Sequence, residues 1–207
     1  GKMGNGLTLD GNDYVYSTDT AVAAGIDISG SDWSFEAWIK PGDITDSSET
    51  QAIFFLGDGD GSDGENELQI GLRDGYLELC YDDCDGGSEY KRFTGETQMT
   101  TGKWYHIALS YDGTAEFAQG HNAFINGKRV SGAVDSVFWK TGFTDTLPSG
   151  SDFYLGHGDI AEGSGGSELS VVDFNGMIDE ARWLTYEKNA FAGGLMISKV
   201  VPSTNTV

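Results

Sequence analysis

The chain predicts an all-β sandwich, and three observations carry that expectation. Short runs alternate apolar and polar residues with a period of two, the signature of strands with one face in a core. Turn signals separate the runs at regular intervals: Asp10-Gly11-Asn12, Asp74-Gly75, Asp112-Gly113 and Asn126-Gly127. Glycine is abundant at 31 residues and proline scarce at 3, which suits many tight turns. At 207 residues the chain can build one sandwich with a full core, whereas two domains would be cramped. One domain is therefore expected over residues 1–201, with a linker-like tail over 202–207.

The organising stretch is Trp104 to Gly113, where Tyr105, Ile107, Leu109 and Tyr111 share one face of a long strand. It pairs onward with a strand that runs into Asn126-Gly127. Leu7–Leu9 and Asp13–Ser17 flank the first turn. In Trp33–Lys40, the residues Trp33, Phe35, Ala37 and Ile39 face one way, and Ser34, Glu36, Trp38 and Lys40 the other. Gln51–Leu56 is densely apolar. Glu67–Arg73 turns at Asp74-Gly75 into Tyr76–Asp82, with Leu68, Ile70, Leu72, Leu77, Leu79 and Tyr81 inward. Further strands are expected at Asp152–Gly156, Val172–Leu184 and Leu195–Val201, and one short helical turn over Thr185–Ala192.

Charge limits the partners. There are 33 acidic and 12 basic residues, a net charge of −21, so nucleic acid and anionic membrane surfaces are repelled. No apolar run is long enough to span a bilayer. Bound cations or a salty medium would offset the excess. The acids cluster: Asp58, Asp60, Asp63, Glu65 and Glu67 place five carboxylates in ten residues, with Gly59, Gly61 and Gly64 between them. Such carboxylates repel one another without a cation, and calcium takes six to eight oxygen ligands. The loop is no EF-hand, because the glycine and the closing glutamate are misplaced. Its Gly-x-Gly-x-x-Gly is no dinucleotide fingerprint either, since a strand follows where a helix is required. A second acidic loop, Asp82-Asp83-Cys84-Asp85, leaves the hairpin strand that pairs with the one the first loop enters. Both loops therefore belong at one end of the sandwich. Asp58, Asp60, Asp63, Asn66, Asp82 and Asp83 are the expected calcium ligands on this rim. The loop from Gly156 to Glu168, with His157 and Asp159, could join them. Solvated loops on an acidic protein are the alternative.

Cys80 alternates with Leu79 and Tyr81, so it is expected on the outward face of its strand. A Cys80–Cys84 disulfide would close a small ring worth about 2 kcal/mol of loop entropy, and would imply an oxidising compartment. Two thiols, or a metal site, are the alternatives. For catalysis the support is thin. No Glu-x-Asp-x-Glu strand of the glucanase kind occurs, and Glu65-Asn66-Glu67 and Asp179-Glu180 lack the spacing. No Gly-x-Ser-x-Gly occurs. Trp38 and Trp139 are candidates for stacking on a sugar, with packing as the alternative.

Four strings carry a family resemblance: Phe35-Glu-Ala-Trp-Ile-Lys40, Trp104 to Gly113, Phe124-Ile-Asn-Gly-Lys-Arg-Val130, and Phe174-Asn-Gly-Met-Ile-Asp-Glu-Ala-Arg-Trp183. In this order they resemble the laminin G-like domains of the concanavalin A-like lectin/glucanase superfamily, over roughly residues 6 to 184. The resemblance implies a jelly-roll sandwich of two curved antiparallel sheets. It also implies a non-catalytic module that binds glycan or protein, often through calcium, in secreted or cell-surface proteins. Animal members commonly carry a disulfide near the C-terminal end, which this chain lacks, so a bacterial surface protein or adhesin is the expected source. By the same resemblance, the Asp10-Gly11 turn and Asp179 would hold a second calcium; the alternative is that Asp179 and Glu180 pair with Arg182. The expectation is thus a calcium-dependent, lectin-like adhesive module, monomeric within a larger extracellular protein. Its glycan would meet the acidic rim, where Tyr81, Asp85, Tyr90, His157 and Asp159 would contact it. A glycoside hydrolase or polysaccharide lyase of the same fold is one alternative, and a calcium-stiffened spacer without ligand another.

Overall fold

A computed structural model describes residues 2, 4–17, 19–26, 28, 31–44, 49–57, 68–81, 91–113, 121–134, 151–158, 170–188 and 191. Within them the chain forms fourteen strands: β1 (Leu7–Asp10), β2 (Val15–Tyr16), β3 (Trp33–Pro41), β4 (Glu49–Gly57), β5 (Leu68–Arg73), β6 (Tyr76–Tyr81), β7 (Lys91–Gln98), β8 (Tyr105–Tyr111), β9 (His121–Ile125), β10 (Lys128–Val130), β11 (Gly132–Val134), β12 (Asp152–Leu155), β13 (Ser170–Asp173) and β14 (Asn175–Leu184). One sheet runs β1-β14-β3-β8-β9-β10. The other runs β11-β7-β6-β5-β4-β12-β2, with β13 also pairing β4. All pairings are antiparallel except β13 with β4. This is the expected jelly-roll sandwich.

The expected inward faces form the core. Trp33, Phe35, Ala37 and Ile39 of β3 pack with Ile107, Leu109 and Tyr111 of β8. They meet Ile53, Phe54, Leu56, Leu68, Ile70, Leu72, Leu77 and Leu79 of the second sheet. A fully buried side chain of this size contributes about 1.5–3 kcal/mol, so the facing rows dominate the fold's stability. The hairpin turns follow their sequence signals. Asp74 and Gly75 have φ of 49° and 76°, and Asn126 and Gly127 have 52° and 75°. Two successive positive φ values make the type I′ turns whose twist matches the strands.

Two element readings change. Val172–Leu184 is not one strand: Phe174, fully buried, interrupts it, so β13 joins one sheet and β14 the other. Residues 185–188 form no helix: 185 and 186 are a bend and 187 and 188 carry no regular structure. β7, β10 and β11 lack clear alternation in sequence and are placed by their partners. The expected strand Leu195–Val201 and the tail 202–207 lie outside the described residues.

The second face of β3 is also closed. Glu36 is 2% exposed, and Ser34, His106 and Ser110 are buried beside it. The segment after β14 crosses this face as a strap. Ser34 Oγ donates to Tyr186 O at 2.9 Å and accepts from Lys188 N at 2.8 Å. Lys188 Nζ donates to both Glu36 oxygens at 3.0 and 3.1 Å. Phe191 packs on Phe124 and His106, 4.8 and 6.1 Å between ring centres. A bulge in β14 supplies the last cation: Asp179 faces Trp38 and Arg182 faces Glu36, with Glu180 at φ 53° between them. The extra residue turns Arg182 to the outer face, with Nη1 3.7 Å from Glu36 Oε1.

His106 Nε2, 3.3 Å from Glu36 Oε2, is the leading cause that holds the Glu36 carboxyl down at about 2; burial opposes this and Lys188 adds to it. A depressed carboxyl pKa contributes stability above its unfolded value and loses it as pH falls toward the folded one. The fall from 4.5 to about 2 corresponds to about 3 kcal/mol. That contribution is complete above pH 5 and fades between pH 5 and 2. Glu36→Gln should therefore lower neutral-pH stability by about 3 kcal/mol. Its stability should also change less than the parent's between pH 5 and 2, as read by urea denaturation across that window.

Candidate functional site

The outer face of the second sheet is built from one row across five strands. Tyr16 pairs with Tyr154, Tyr154 with Phe55, Phe55 with Gln69, and Gln69 with Cys80. Antiparallel register puts all five on the same side. The middle of the row is covered: Phe55, Gln69, Glu78 and Cys80 are all buried. Thr50 Oγ1 donates to Glu78 Oε1 at 2.8 Å within this layer. Part of the cover is the turn after β12. A Cβ on Gly158 would lie 2.7 Å from Ala52 Cβ and 2.8 Å from Gln69 Oε1, so only glycine lets the turn lie this flat.

At the β2–β12 edge the face opens. Tyr14 and Tyr16 are 45% and 56% exposed, and Tyr154 is half-buried between them. The three rings form a triangle with centroids 6.0–6.3 Å apart. His157 stacks on Tyr14 at 4.4 Å with planes 27° apart, and lies 5.3 Å from Tyr154. His157 Nδ1 donates to Asp173 Oδ1 at 2.6 Å. That bond fixes the ring and, in the neutral imidazole, leaves Nε2 as an acceptor. Burial first, then the negative charge of Asp152, pushes the Tyr154 phenol up. Exposed aromatic faces beside fixed carboxylates suit a ligand with C–H faces and hydroxyl edges. A cleft of about 310 Å³ between the sheets is lined by Phe35, Phe54, Phe153, Leu155 and Trp183. Its polar groups are few, which makes it a poor hydroxyl site.

The rim is partly visible. Leu68 pairs with both Leu56 and Tyr81, and Tyr81 with Lys91. The segments 58–67 and 82–90 therefore begin and end at the same end of the sheet, where Asp152 pairs with Gly57. The acids Asp58, Asp60, Asp63, Asp82, Asp83, Asp85 and Asp159, with Asn66, Tyr90, Cys84 and Trp139, lie outside the described residues. Tyr81 ends β6, and its side chain is likewise not described. His157 is not on that rim. β12 leaves it at Asp152 and carries His157 to the far side of the tyrosine triangle.

Asp10 and Asp179 are not brought together. Asp10 pairs with Asn175, four residues from Asp179 in β14, a separation of about 13 Å along a strand. Asp10 Oδ1 instead accepts from Asn12 N at 3.1 Å, and Glu180 pairs with Arg182 at 2.7 Å. Among the described residues no three His, Cys, Asp or Glu side chains are grouped to hold a metal. Trp38 is 6% exposed and packs on His106, so the strap side offers it to no sugar. Cys80 does lie on the outer face, but at 1% exposure it is covered, not solvent-facing. No disulfide occurs among the described residues. The tyrosines were missed because only Tyr14-x-Tyr16 alternates locally, while Tyr154 reaches them through long-range pairing.

A laminin G family model of the Concanavalin A-like lectin/glucanases superfamily matches residues 9–190. The chain belongs to this superfamily. No curated protein matches it in sequence. Among solved structures it is similar to the Ruminococcus gnavus IT-sialidase CBM40, at 14% identity and TM-score 0.63, over 88% of this chain and 91% of that one. It is also similar to domains LG4-5 of the mouse laminin α1 chain, at 12% identity and TM-score 0.54, over 91% and 44%. A third is the NanB sialidase of Streptococcus pneumoniae, at 16% identity and TM-score 0.57, over 89% and 26%. At these identities the likeness is one of fold.

The turn of Gly158 gives a direct test of how the site is held. Gly158→Ala should push the turn off Ala52 and Gln69, costing about 1–3 kcal/mol as overpacking does. Nuclear magnetic resonance of the His157 ring should show it leaving the Tyr14 face, while the Trp33 core signals stay in place.

Proposed function

We propose that this superfamily member is a non-catalytic carbohydrate-binding module that meets its glycan on the open tyrosine edge of the second sheet. The observation that carries the reading is the exposed Tyr14–Tyr16–Tyr154 triangle, braced by His157, on a sheet whose centre is otherwise covered. Soluble domains rarely leave grouped aromatic rings in water without a partner for them. The Ruminococcus gnavus module of the same fold has been solved with α2,3- and α2,6-sialyllactose, which supports a glycan as the class of partner. An extracellular or cell-surface setting and a monomeric module within a larger adhesive protein complete the reading.

Calcium belongs to the same proposal. The donor set of Asp58, Asp60, Asp63, Asn66, Asp82 and Asp83 has the hard oxygen chemistry calcium takes, and both loops spring from one end of the sheet. A bound ion would neutralise the clustered charge and stiffen the loops beside Asp152. Calcium should raise the melting temperature in proportion to the logarithm of its concentration above Kd. Asp60→Ala and Asp83→Ala should each flatten that response. A melting temperature indifferent to calcium and to chelator would remove the metal from the account.

Recognition is tested on glycan arrays and by calorimetry. Tyr16→Ala is expected to weaken glycan binding at least tenfold with the melting temperature held within about 2 °C, since the side chain is exposed. Polysaccharide turnover in the same preparation would instead favour an enzyme.

A further inference from the structure

The charge around the tyrosine triangle restricts which glycans it can take. Strands β2, β4, β12 and β13, with the turn Gly156–Gly158, build the edge, and none contains a lysine or arginine. Besides His157, its ionisable neighbours among the described residues are acids. Asp152 stands two residues before Tyr154 on β12, Asp173 holds His157, and Asp13 directly precedes Tyr14. β12 begins opposite Gly57, the last residue before the five-carboxylate segment 58–67. Among the described residues of these elements a glycan carboxylate meets no guanidinium or ammonium and faces the like charges of Asp13, Asp152 and Asp173, in a chain of net charge −21.

We propose, resting on the carbohydrate-binding reading above, that the edge is selective for neutral hexoses and rejects sialylated and uronate-bearing glycans. Two parts of the edge make the choice. The ring faces of Tyr14 and Tyr16 carry the negative side of the aromatic quadrupole, which attracts the polarised C–H groups on the flatter face of a pyranose. The carboxylates of Asp152 and Asp173 and, in the neutral imidazole, Nε2 of His157 are acceptors, and neutral sugars supply hydroxyl donors at the ring's margin. Hydrogen bonds from a neutral donor to a carboxylate are among the stronger ones. A triangle with sides near 6 Å has the footprint of one or two sugar rings, so a terminal unit or disaccharide is the natural occupant. The Ruminococcus gnavus module solved with sialyllactose shares the scaffold, and the rejection of acidic sugars proposed here comes from charge at the edge.

Lactose and its α2,3-sialylated form share a core and differ by one acidic sugar, so they make a matched pair. They would be titrated calorimetrically into the whole chain beside a panel of neutral and uronate oligosaccharides, with parent protein, Tyr16→Ala, Tyr16→Trp and Asp152→Asn. The expected result is binding of at least one neutral member, and at least tenfold weaker binding of its sialylated or uronate counterpart. That ratio should shrink in 1 M salt, where charges are screened within about 3 Å, and in Asp152→Asn. Tyr16→Ala should lose the neutral ligand while Tyr16→Trp keeps it. Acidic glycans bound as well as or better than neutral ones, with Tyr16→Ala still weakening them, would overturn the selectivity and leave the carbohydrate reading standing. Neutral binding indifferent to Tyr16 would overturn this site alone. No glycan bound by a folded parent would overturn the carbohydrate reading, and the selectivity with it.

Discussion

A carboxylate buried against a sheet persists only while its partners stay in place, and Glu36 keeps three of them. His106 on the neighbouring strand, Arg182 from the β14 bulge and Lys188 from the strap all converge on it. Removing a charge from water costs several kcal/mol, so losing any one partner exposes the rest to that cost. The arrangement ties the chain's late segment to β3 in the middle of the sheet. Lys188 is 152 residues from Glu36, and the contact closes a face that would otherwise present Trp38, Ala108 and Phe124 to water. A sandwich has two outer faces. This cluster disposes of one and leaves recognition to the other.

Local sequence carried the inward faces and turns because both are short-range properties. Trp33, Phe35, Ala37 and Ile39 sit two apart, and Asn126-Gly127 needs only its own φ values to make its turn. Alternation alone could not show that the opposite face of β3 is also buried. Glu36 and His106 look solvent-facing in sequence because their cover, Lys188 and Phe191, lies far along the chain, 152 residues on in the case of Glu36. The same reason explains Cys80, which occupies the outward position its alternation implies and is nonetheless covered. The β14 bulge was likewise invisible. One residue with positive φ, Glu180, changes which of its neighbours face outward, and no glycine marked the place.

The site was legible in part for the same physical reason. His157 could be picked out as a polar, ring-bearing residue in a glycine-rich turn, yet its neighbours depend on β12 lying between β4 and β2. That order brings Tyr154 beside Tyr16, 138 positions earlier in the chain. No local pattern encodes such a pairing. The acidic loops are the reverse case: their composition is plain in the sequence, and the register of β4, β5, β6 and β7 assigns their bases to one end of one sheet.

Stability and recognition therefore rest on opposite faces and on opposite uses of charge. On the strap side a carboxylate is buried and saturated by cations, so its field is spent locally and the face is silent to ligands. On the tyrosine edge β2, β4, β12 and β13 carry no lysine or arginine, so the negative field of Asp152 and Asp173 is not offset in that way. β12 begins opposite Gly57, the residue from which the acid-rich segment 58–67 leaves the sheet. A binding edge in such surroundings gains little from long-range attraction and must rely on contacts made after arrival: ring faces against C–H groups, and carboxylate oxygens against hydroxyls. Those contacts are short-ranged and weakly dependent on salt. An acidic module can therefore hold a neutral sugar in media where steering by charge would fail.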